Sequence, residues 1–236
     1  MSMILVAHGT RRAGGVAMVG DLAAQVSTLV GETVQVAFVD LLGPTPGEVL
    51  SRAKATGRPA VVVPAFLSRG YHVRADLPDH VAASGHRDVI VTPALGPSGQ
   101  IARIVGDQLI KCGWRQSDSV ILVAAGTSDD RARADLHITA TLLSALTGSK
   151  VSLAFAATGD RKLQEAVHEA RRDGTRVVVA SYLLADGLFQ QRLHACGADL
   201  VSQPLGTHPG LARLIAHRFR RAMPSVACAA RPKTAA

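Results

Sequence analysis

Two histidines and one aspartate lie at the ends of apolar segments of strand length. His8 follows the first such segment, Asp40 ends the second and His72 follows the third. Two imidazoles and a carboxylate suit a divalent metal ion of borderline softness, such as Fe²⁺, Co²⁺ or Ni²⁺, and neutral imidazoles also accept protons near neutral pH. A single histidine after a strand is often a capping or core residue. Three polar groups in equivalent places instead predict a site that handles metal or protons.

A second copy of the same pattern lacks these groups. Residues 3–10, MILVAHGT, return as residues 120–127, VILVAAGT, identical at six of eight positions. At this spacing of 117 positions the three polar residues become apolar, with His8 corresponding to Ala125, Asp40 to Ala157 and His72 to Phe189. The apolar framework around them is retained. The chain is therefore predicted to be a duplicated domain that kept its chemistry in the first copy.

The second copy is also seven residues shorter. Its Leu205-Gly206 matches Leu95-Gly96 at a spacing of 110 positions, so the missing residues come from the stretch that follows His72 in the first copy. That stretch contains the polar residues Asp76, Asp79, His80 and His86. The extra loop is expected to belong to the site that the second copy lost.

Short apolar runs alternate with longer amphipathic stretches, a pattern typical of parallel strands covered on both faces by helices. In the first copy, strands are predicted at 3–7, 34–40, 60–66 and 89–91, and helices at 14–30, 46–56, 77–84 and 98–111. The second copy has strands near 120–125, 151–156, 176–183 and 199–203, and a helix near 208–222. The predicted fold class is α/β, with two tandem duplicated domains, each a small parallel sheet flanked by helices, and a cleft between them.

The length of 236 residues suits two modest domains better than one. Residues 1–114 are predicted to form a domain with the active site, residues 115–223 a domain with a degenerate site, and residues 224–236 a flexible tail. Ligands of parallel sheets bind beyond the carboxyl ends of the strands, so His8, Asp40 and His72 should meet at one rim. Since the duplication lies within one chain, a monomer with an internal pseudo-twofold axis is expected.

The composition bears on partners and location. The net charge is +8, but the arginines are dispersed among acids and aromatic residues make up 3%, which argues against nucleic acid as a partner. The N-terminal segment does not resemble a signal peptide, and no apolar run approaches a membrane span, so a cytoplasmic protein without membrane contact is expected. Cys112, Cys196 and Cys228 are too widely spaced for a metal-cluster motif.

Three motifs together resemble the CbiX and SirB family of class II chelatases, over nearly the whole chain. They are His8-Gly9-Thr10-Arg11, the segment 37–40 followed by Pro44-Thr45-Pro46, and the segment 64–72 (PAFLSRGYH) with Asp76-Leu77-Pro78. These enzymes insert Fe²⁺ or Co²⁺ into the tetrapyrrole sirohydrochlorin. The resemblance implies a bilobal α/β fold with the site in the cleft and metal-handling histidines at His8 and His72. The family usually has glutamate where this chain has Asp40.

The resemblance also implies roles for the residues around the histidines. His8 and His72 would coordinate the incoming metal and accept pyrrole protons, while Asp40 orients an imidazole or relays a proton. The metal is then a substrate, and no permanently bound cofactor is expected. The carboxylates of sirohydrochlorin would be bound by Arg11, Arg12, Arg69 and Arg74. The backbone amides of Ser68, Arg69, Gly70 and Tyr71 would add hydrogen bonds, although a structural turn would place them there too. Loss of Arg69 or Arg74 is expected to raise KM more than it lowers kcat.

Alternatives stay open at the level of sequence. A non-catalytic carrier of metal or tetrapyrrole would use the same histidines. A hydrolase or phosphatase on the same sheet would need a nucleophile or a phosphate-binding group, for which Thr10 with Arg11 is a weak candidate. The sequence does not choose between iron and cobalt, or between siroheme and cobalamin supply. The second copy either supplies an apolar wall with Leu188 and Phe189 or simply completes the cleft.

Overall fold

The computed structural model describes residues 1–10, 12–157, 162–206 and 208–223, and it forms two lobes. The first lobe contains β1 (Ser2–Ala7), α1 (Ala13–Val30), β2 (Val34–Phe38), α2 (Pro46–Ala55), β3 (Ala60–Pro64), α3 (Leu77–Ser84), β4 (Val89–Val91) and α4 (Gly99–Lys111). The second lobe contains β5 (Ser119–Ala124), α5 (Asp130–Thr147), β6 (Val151–Phe155), α6 (Leu163–Arg171), β7 (Val177–Tyr182), α7 (Leu188–His194), β8 (Leu200–Val201) and α8 (Pro209–Ala222).

Each lobe has a four-stranded sheet of the same topology. The strand orders are β2-β1-β3-β4 and β6-β5-β7-β8, and all pairs are parallel. This confirms the predicted α/β fold of two related halves. The chain passes from one sheet to the other between Lys111 and Ser119. The predicted tail, residues 224–236, lies outside the described residues, as does Arg11.

The strands are apolar because both faces of each sheet are covered. All six residues of β1 are buried, and alternate side chains enter different cores. Met3 and Leu5 belong to a central core, whereas Ile4 and Val6 belong to an outer core beneath α2 and α3. Successive side chains of a strand point to opposite faces, so a continuous apolar run is what a doubly covered strand requires.

The central core is shared by the two lobes. Helix α1 packs against α8 and helix α4 against α5, so each contact joins a helix of one lobe to a helix of the other. Leu22 and Leu109 of the first lobe lie in the same cluster as Leu136 and Phe219 of the second. The lobes are therefore two repeats around one hydrophobic interior.

Short-range signals set the helix boundaries. Thr45 and Glu48 form a reciprocal capping box at the start of α2, and Ser98 accepts a hydrogen bond from the backbone N–H of Ile101 at the start of α4. Helices α1 and α5 both end at a glycine in the left-handed conformation, Gly31 and Gly148. These equivalent endings reflect the duplication.

A π-helical turn at His72–Asp76, immediately before α3, was not predicted. It accounts for much of the length difference between the copies, because the second lobe has only the seven-residue α7 where the first has this turn followed by α3. Such turns often occur at functional sites. The extra segment does lie beside the residues predicted to be functional.

Helix α1 is long and apolar enough to cross a membrane by length and composition, which the sequence analysis did not anticipate. Val19, Leu22 and Val26 of this helix are buried in the central core. Core helices of water-soluble proteins meet the same criterion, so it is weak evidence for a span. The expectation of a cytoplasmic protein without membrane contact stays a prediction.

Two glycines at equivalent positions allow the lobes to approach each other. A Cβ atom on Gly96 would lie 2.2 Å from the carbonyl oxygen of Leu67 and 2.6 Å from the hydroxyl of Tyr182, which belongs to the second lobe. A Cβ atom on Gly206 would lie 2.4 Å from the carbonyl oxygen of Leu184 and 2.3 Å from the sulfur of Met18 in the first lobe. Close packing between the lobes therefore explains the repeated Leu-Gly pair.

Replacing Gly96 with alanine is expected to lower the free energy of unfolding by about 1–3 kcal/mol, because the methyl group meets backbone that cannot move aside. Gly20→Ala is the control, since Gly20 lies inside α1 and, apart from its chain neighbours and the backbone of its own helix, no atom lies within 4 Å of its Cβ position. That change should raise the free energy of unfolding by about 0.5–1 kcal/mol. Urea denaturation measures both, and a Gly96→Ala protein as stable as the wild type would contradict the close packing.

Candidate active site

A cleft of about 930 Å³ lies between the lobes, beyond the carboxyl ends of both sheets. The first lobe lines it with His8, Gly9, Thr10, Arg12, Leu41, Phe66, Leu67, Ser68, Gly70, Tyr71, His72 and Val73. The second lobe lines it with residues of the equivalent loops, including Ala125–Asp129 and Leu183–Phe189. Both halves of the duplication thus face the same space.

The structure brings together the two histidines that the sequence singled out. His8 follows β1, and His72 is the first residue of the π-helical turn. Their rings meet edge to face, with centroids 4.4 Å apart and an interplanar angle of 85°. His8 is exposed to the cleft and His72 is half-buried. Two imidazoles separated by 64 positions in the chain therefore form one pair.

Both imidazoles contact an oxygen acceptor through Nδ1. His72 Nδ1 contacts Oδ2 of Asp76, and His8 Nδ1 lies 3.2 Å from the carbonyl oxygen of Gly9. Carbonyl and carboxylate oxygens accept hydrogen bonds, so both contacts fit the tautomer with the hydrogen on Nδ1. This tautomer leaves the lone pair of each Nε2 free for a metal ion or a proton.

Asp76 is the partner that sequence reasoning missed. It was noted as part of a motif and of the extra loop, but no role was given to it. Its spacing of four residues from His72 is the signal that could have found it, because residues four apart face each other on a helical turn. Recognising that signal required knowing that the segment is helical.

Asp40 is joined to His8 by a hydrogen bond between their backbones. Its N–H donates to the carbonyl oxygen of His8 over 3.0 Å, and Gly9 fits there because a Cβ atom would lie 2.0 Å from the carbonyl oxygen of Asp40. The carboxylate of Asp40 accepts a hydrogen bond of 2.8 Å from the N–H of Leu41. Leu41, with a φ of 65°, lines the cleft, whereas Asp40 does not. The predicted meeting of three side chains at one rim therefore holds for the two histidines only.

The predicted substrate-binding arginines fall into two groups. Arg69 forms an ion pair with Asp135 and Arg74 with Asp129, and both carboxylates belong to the second lobe. Hydrogen bonding from Arg74 holds the pKa of Asp129 below its usual value. Neither arginine is among the residues that line the cleft, whereas Arg12 does line it. The role of Arg69 and Arg74 in binding substrate stays a prediction. Of the three predicted arginines that the structure describes, Arg12 is the one placed for direct contact with a ligand in the cleft.

The loop before His72 contributes side chains and backbone to the surface of the cleft. Ser68, Gly70 and Tyr71 line the cleft, and Tyr71 is 62% exposed. The backbone N–H of Arg69 between them donates to Asp135 over 2.8 Å and is not available to a ligand. The side chain of Tyr71 is therefore the prominent feature of this loop in the cleft.

The second lobe contributes an apolar patch to the cleft, beside polar residues that include Asp129 and Asp186. Ala125 and Ala157, the counterparts of His8 and Asp40, both line the cleft, as do Leu188 and Phe189. Leu188 is 50% exposed although it is apolar. Of the two roles left open for the second copy, the structure favours the apolar wall. Exposed apolar side chains in a cleft suit an apolar ligand.

For a metal ion, the cleft offers chiefly the histidine pair. Across the described ranges of the chain, no group of three or more histidine, cysteine, aspartate and glutamate side chains is arranged to hold a metal. A structural zinc site normally has four protein ligands, and a catalytic one keeps a position open. Two histidines leave coordination positions of a metal ion open, so the pair His8 and His72 suits transient binding better than permanent binding.

Comparisons with known proteins agree with the fold and the duplication. The CbiX family model matches residues 2–112 and again residues 119–222. The sirohydrochlorin cobaltochelatase of Methanopyrus kandleri is 27% identical over 135 residues, which cover 46% of this chain and 94% of that protein.

Solved structures show the same architecture. SirB from Bacillus subtilis with Fe³⁺ superposes with a TM-score of 0.81 at 20% identity, covering 93% of this chain and 94% of that one. CbiX, described as the terminal enzyme for biosynthesis of siroheme in denitrifying bacteria, gives a TM-score of 0.72 at 19% identity, covering 95% and 100%. The family match spans both lobes, and the chain belongs to the CbiX family.

Proposed function

We propose that the protein is a sirohydrochlorin chelatase, a lyase that inserts Fe²⁺ or Co²⁺ into the tetrapyrrole sirohydrochlorin. The observation that carries the proposal is the pair of imidazoles, His8 and His72, whose ring centroids are 4.4 Å apart in the cleft between the lobes. A curated relative is named as a cobaltochelatase, and a similar structure contains Fe³⁺. The proposal therefore covers both metals.

The proton balance of the reaction explains why neutral imidazoles suit it. Insertion of a divalent ion forms bonds from the metal to the ring nitrogens and releases two pyrrole protons. When the ion passes from an imidazole Nε2 to the macrocycle, the lone pair that it leaves can accept one of those protons. His8 and His72 thus serve in turn as ligands and bases, and solvent takes the protons away.

The neighbouring carboxylates support this exchange in different ways. Asp76 contacts Nδ1 of His72 and so holds the ring with Nε2 directed away from this carboxylate, which favours binding of an incoming metal ion. For Asp40 we propose a proton relay from His8, because the backbone hydrogen bond from Asp40 to His8 keeps the two residues side by side. Its carboxylate would act at the edge of the cleft.

The shape and charge of the cleft fit a macrocycle with a polar rim. Leu188 and Phe189 offer apolar surface to the flat ring, and Tyr71 faces the cleft from the other lobe. The guanidinium of Arg12 donates to the side chain of Gln191 over 3.2 Å, a neutral partner that a carboxylate of the substrate can replace. We propose that Arg12 orients the substrate, aided by Thr10 and Ser68 at the rim.

Anaerobic incubation with sirohydrochlorin and Co²⁺ or Fe²⁺, followed by absorbance, tests the function directly. The wild type should exceed the spontaneous rate, and His8→Ala and His72→Ala should each lose at least about 100-fold in kcat, since a base contributes about 10²–10⁴-fold. His168→Ala, a change on the exposed face of α6, should keep full activity. Substrate binding without acceleration would instead indicate a carrier.

Asp76→Asn should lower kcat about 10–100-fold while the protein stays folded, because the amide no longer fixes the tautomer of His72. Asp79→Asn, three residues further along at an exposed position of α3, is the matched control and should be near wild type. The same absorbance assay measures both. Equal activity of the two variants would show that the Asp76 contact does not support the reaction.

Arg12→Gln should raise the KM for sirohydrochlorin by roughly 10–100-fold with kcat changed less than twofold, as expected when a charged hydrogen bond to the substrate of about 1.5–3 kcal/mol is lost. Lys150→Gln, at an exposed position before β6, controls for the loss of one positive charge. Initial rates over a range of sirohydrochlorin concentrations give both constants. A lower kcat at unchanged KM would remove Arg12 from substrate binding.

A further inference from the structure

The loop that carries His72 is attached to the second lobe on both sides of the histidine. Before it, the carbonyl oxygen of Leu67 accepts a hydrogen bond of 2.8 Å from the hydroxyl of Tyr182, and Arg69 is bound by Asp135. After it, Arg74 pairs with Asp129. The catalytic loop of one lobe is thus held by side chains of the other.

Asp135 makes the most extensive of these attachments. It lies on α5 and is fully buried, with 0% of its surface exposed. Its Oδ2 accepts the backbone N–H of Arg69 over 2.8 Å, and its two oxygens accept from Nε and Nη2 of the same residue over 2.5–3.1 Å. The carboxylate raises the pKa of Arg69. A carboxylate so buried is strongly destabilised without its partner, so it resists any movement of the loop.

The attachment reaches His72 through a short turn of backbone. The carbonyl oxygen of Gly70, next to Arg69, accepts from the N–H of Val73 over 3.1 Å and from the N–H of Arg74 over 3.2 Å. His72 lies inside this turn. Fixing the backbone of Arg69 therefore fixes the direction from which the imidazole of His72 approaches His8.

The duplication provides an internal comparison. At the positions equivalent to Asp135 and Arg69, the chain has Met18 and Asp186, which cannot form an ion pair. Asp186 is exposed and accepts the N–H of Gly187 over 2.7 Å, and a cavity of about 620 Å³ lined by both residues lies there. The ion pair with a buried carboxylate is thus present only where the attached loop carries a histidine.

We propose that Asp135 is a positioning residue for metal insertion, acting through Arg69 to hold His72 opposite His8. This role rests on the proposed chelatase function. It assigns to the second lobe a share in the reaction, although that lobe lacks the histidines. It also gives Arg69 an effect on kcat, in place of the effect on KM expected from the sequence.

The test compares Asp135→Asn with Asp118→Asn. Asp118 is a matched control, because it is also buried and accepts from one backbone N–H (Arg115, 2.7 Å) and from one guanidinium (Arg176, 2.7 and 3.1 Å). It precedes β5, at the amino end of the sheet and away from the cleft. Both variants should lower the melting temperature, so that measurement removes the purely structural effect.

Two readouts distinguish positioning from stability. At a temperature where both variants are folded, Asp135→Asn should lower kcat at least tenfold with KM for sirohydrochlorin changed less than twofold, since displacement of a reacting group by about 1 Å can cost 10²-fold. Asp118→Asn should keep kcat within twofold. Hydrogen exchange of the peptide that contains residues 67–76 should be faster in Asp135→Asn and unchanged in Asp118→Asn.

Equal kcat values for the two variants, or a loss that appears only in KM, would overturn the positioning role while leaving the chelatase function intact. A wild type that does not accelerate metal insertion would overturn both. If Asp135→Asn is not recovered folded, Arg69→Lys keeps the charge but not the forked contact, and the same fall in kcat at constant KM is expected. Unchanged kcat in Arg69→Lys would count against the proposal.

Discussion

The structure depends on the apolar contact between the lobes. Helix α1 packs against α8 and α4 against α5, and the resulting core contains residues of both repeats. Because this contact lies on one face of each sheet, it fixes the two carboxyl edges toward one another. The cleft, its two unlike walls and the distance between them all follow from this one layer of buried helices.

The two repeats share one fold, but the histidine pair of the cleft belongs to the first repeat. Equivalent glycines, Gly96 and Gly206, admit similarly close contacts across the interface, so the two repeats pack against each other in the same way. The polar groups do not follow this symmetry, since His8 and His72 face the apolar counterparts Ala125 and Phe189. The duplicated fold therefore gives one cleft two unlike sides, and only one of them carries the histidines.

The arginines near the cleft also differ in the partners that they contact in the other lobe. Arg69 and Arg74 are paired with Asp135 and Asp129 across the interface, whereas Arg12 contacts a neutral amide. Both arginines are partly exposed, but Asp135 is fully buried, and a buried carboxylate is strongly penalised when its partner is removed. Charges at the interface are therefore better suited to fixing the geometry of a loop than to stabilising the fold.

The sequence by itself determined the α/β fold, the duplication and the two histidines, because apolar strand runs are local and parallel strands place their carboxyl ends at one edge. It also pointed to the arginines around His72, but it did not show that Arg69 and Arg74 are paired with the other lobe. The tertiary structure decided those pairings, the contact of Asp76 with His72 and the placement of Asp40 outside the cleft lining. The directions of the Arg69 and Arg74 side chains depend on carboxylates of the facing lobe, which lie 66 and 55 positions away in the chain.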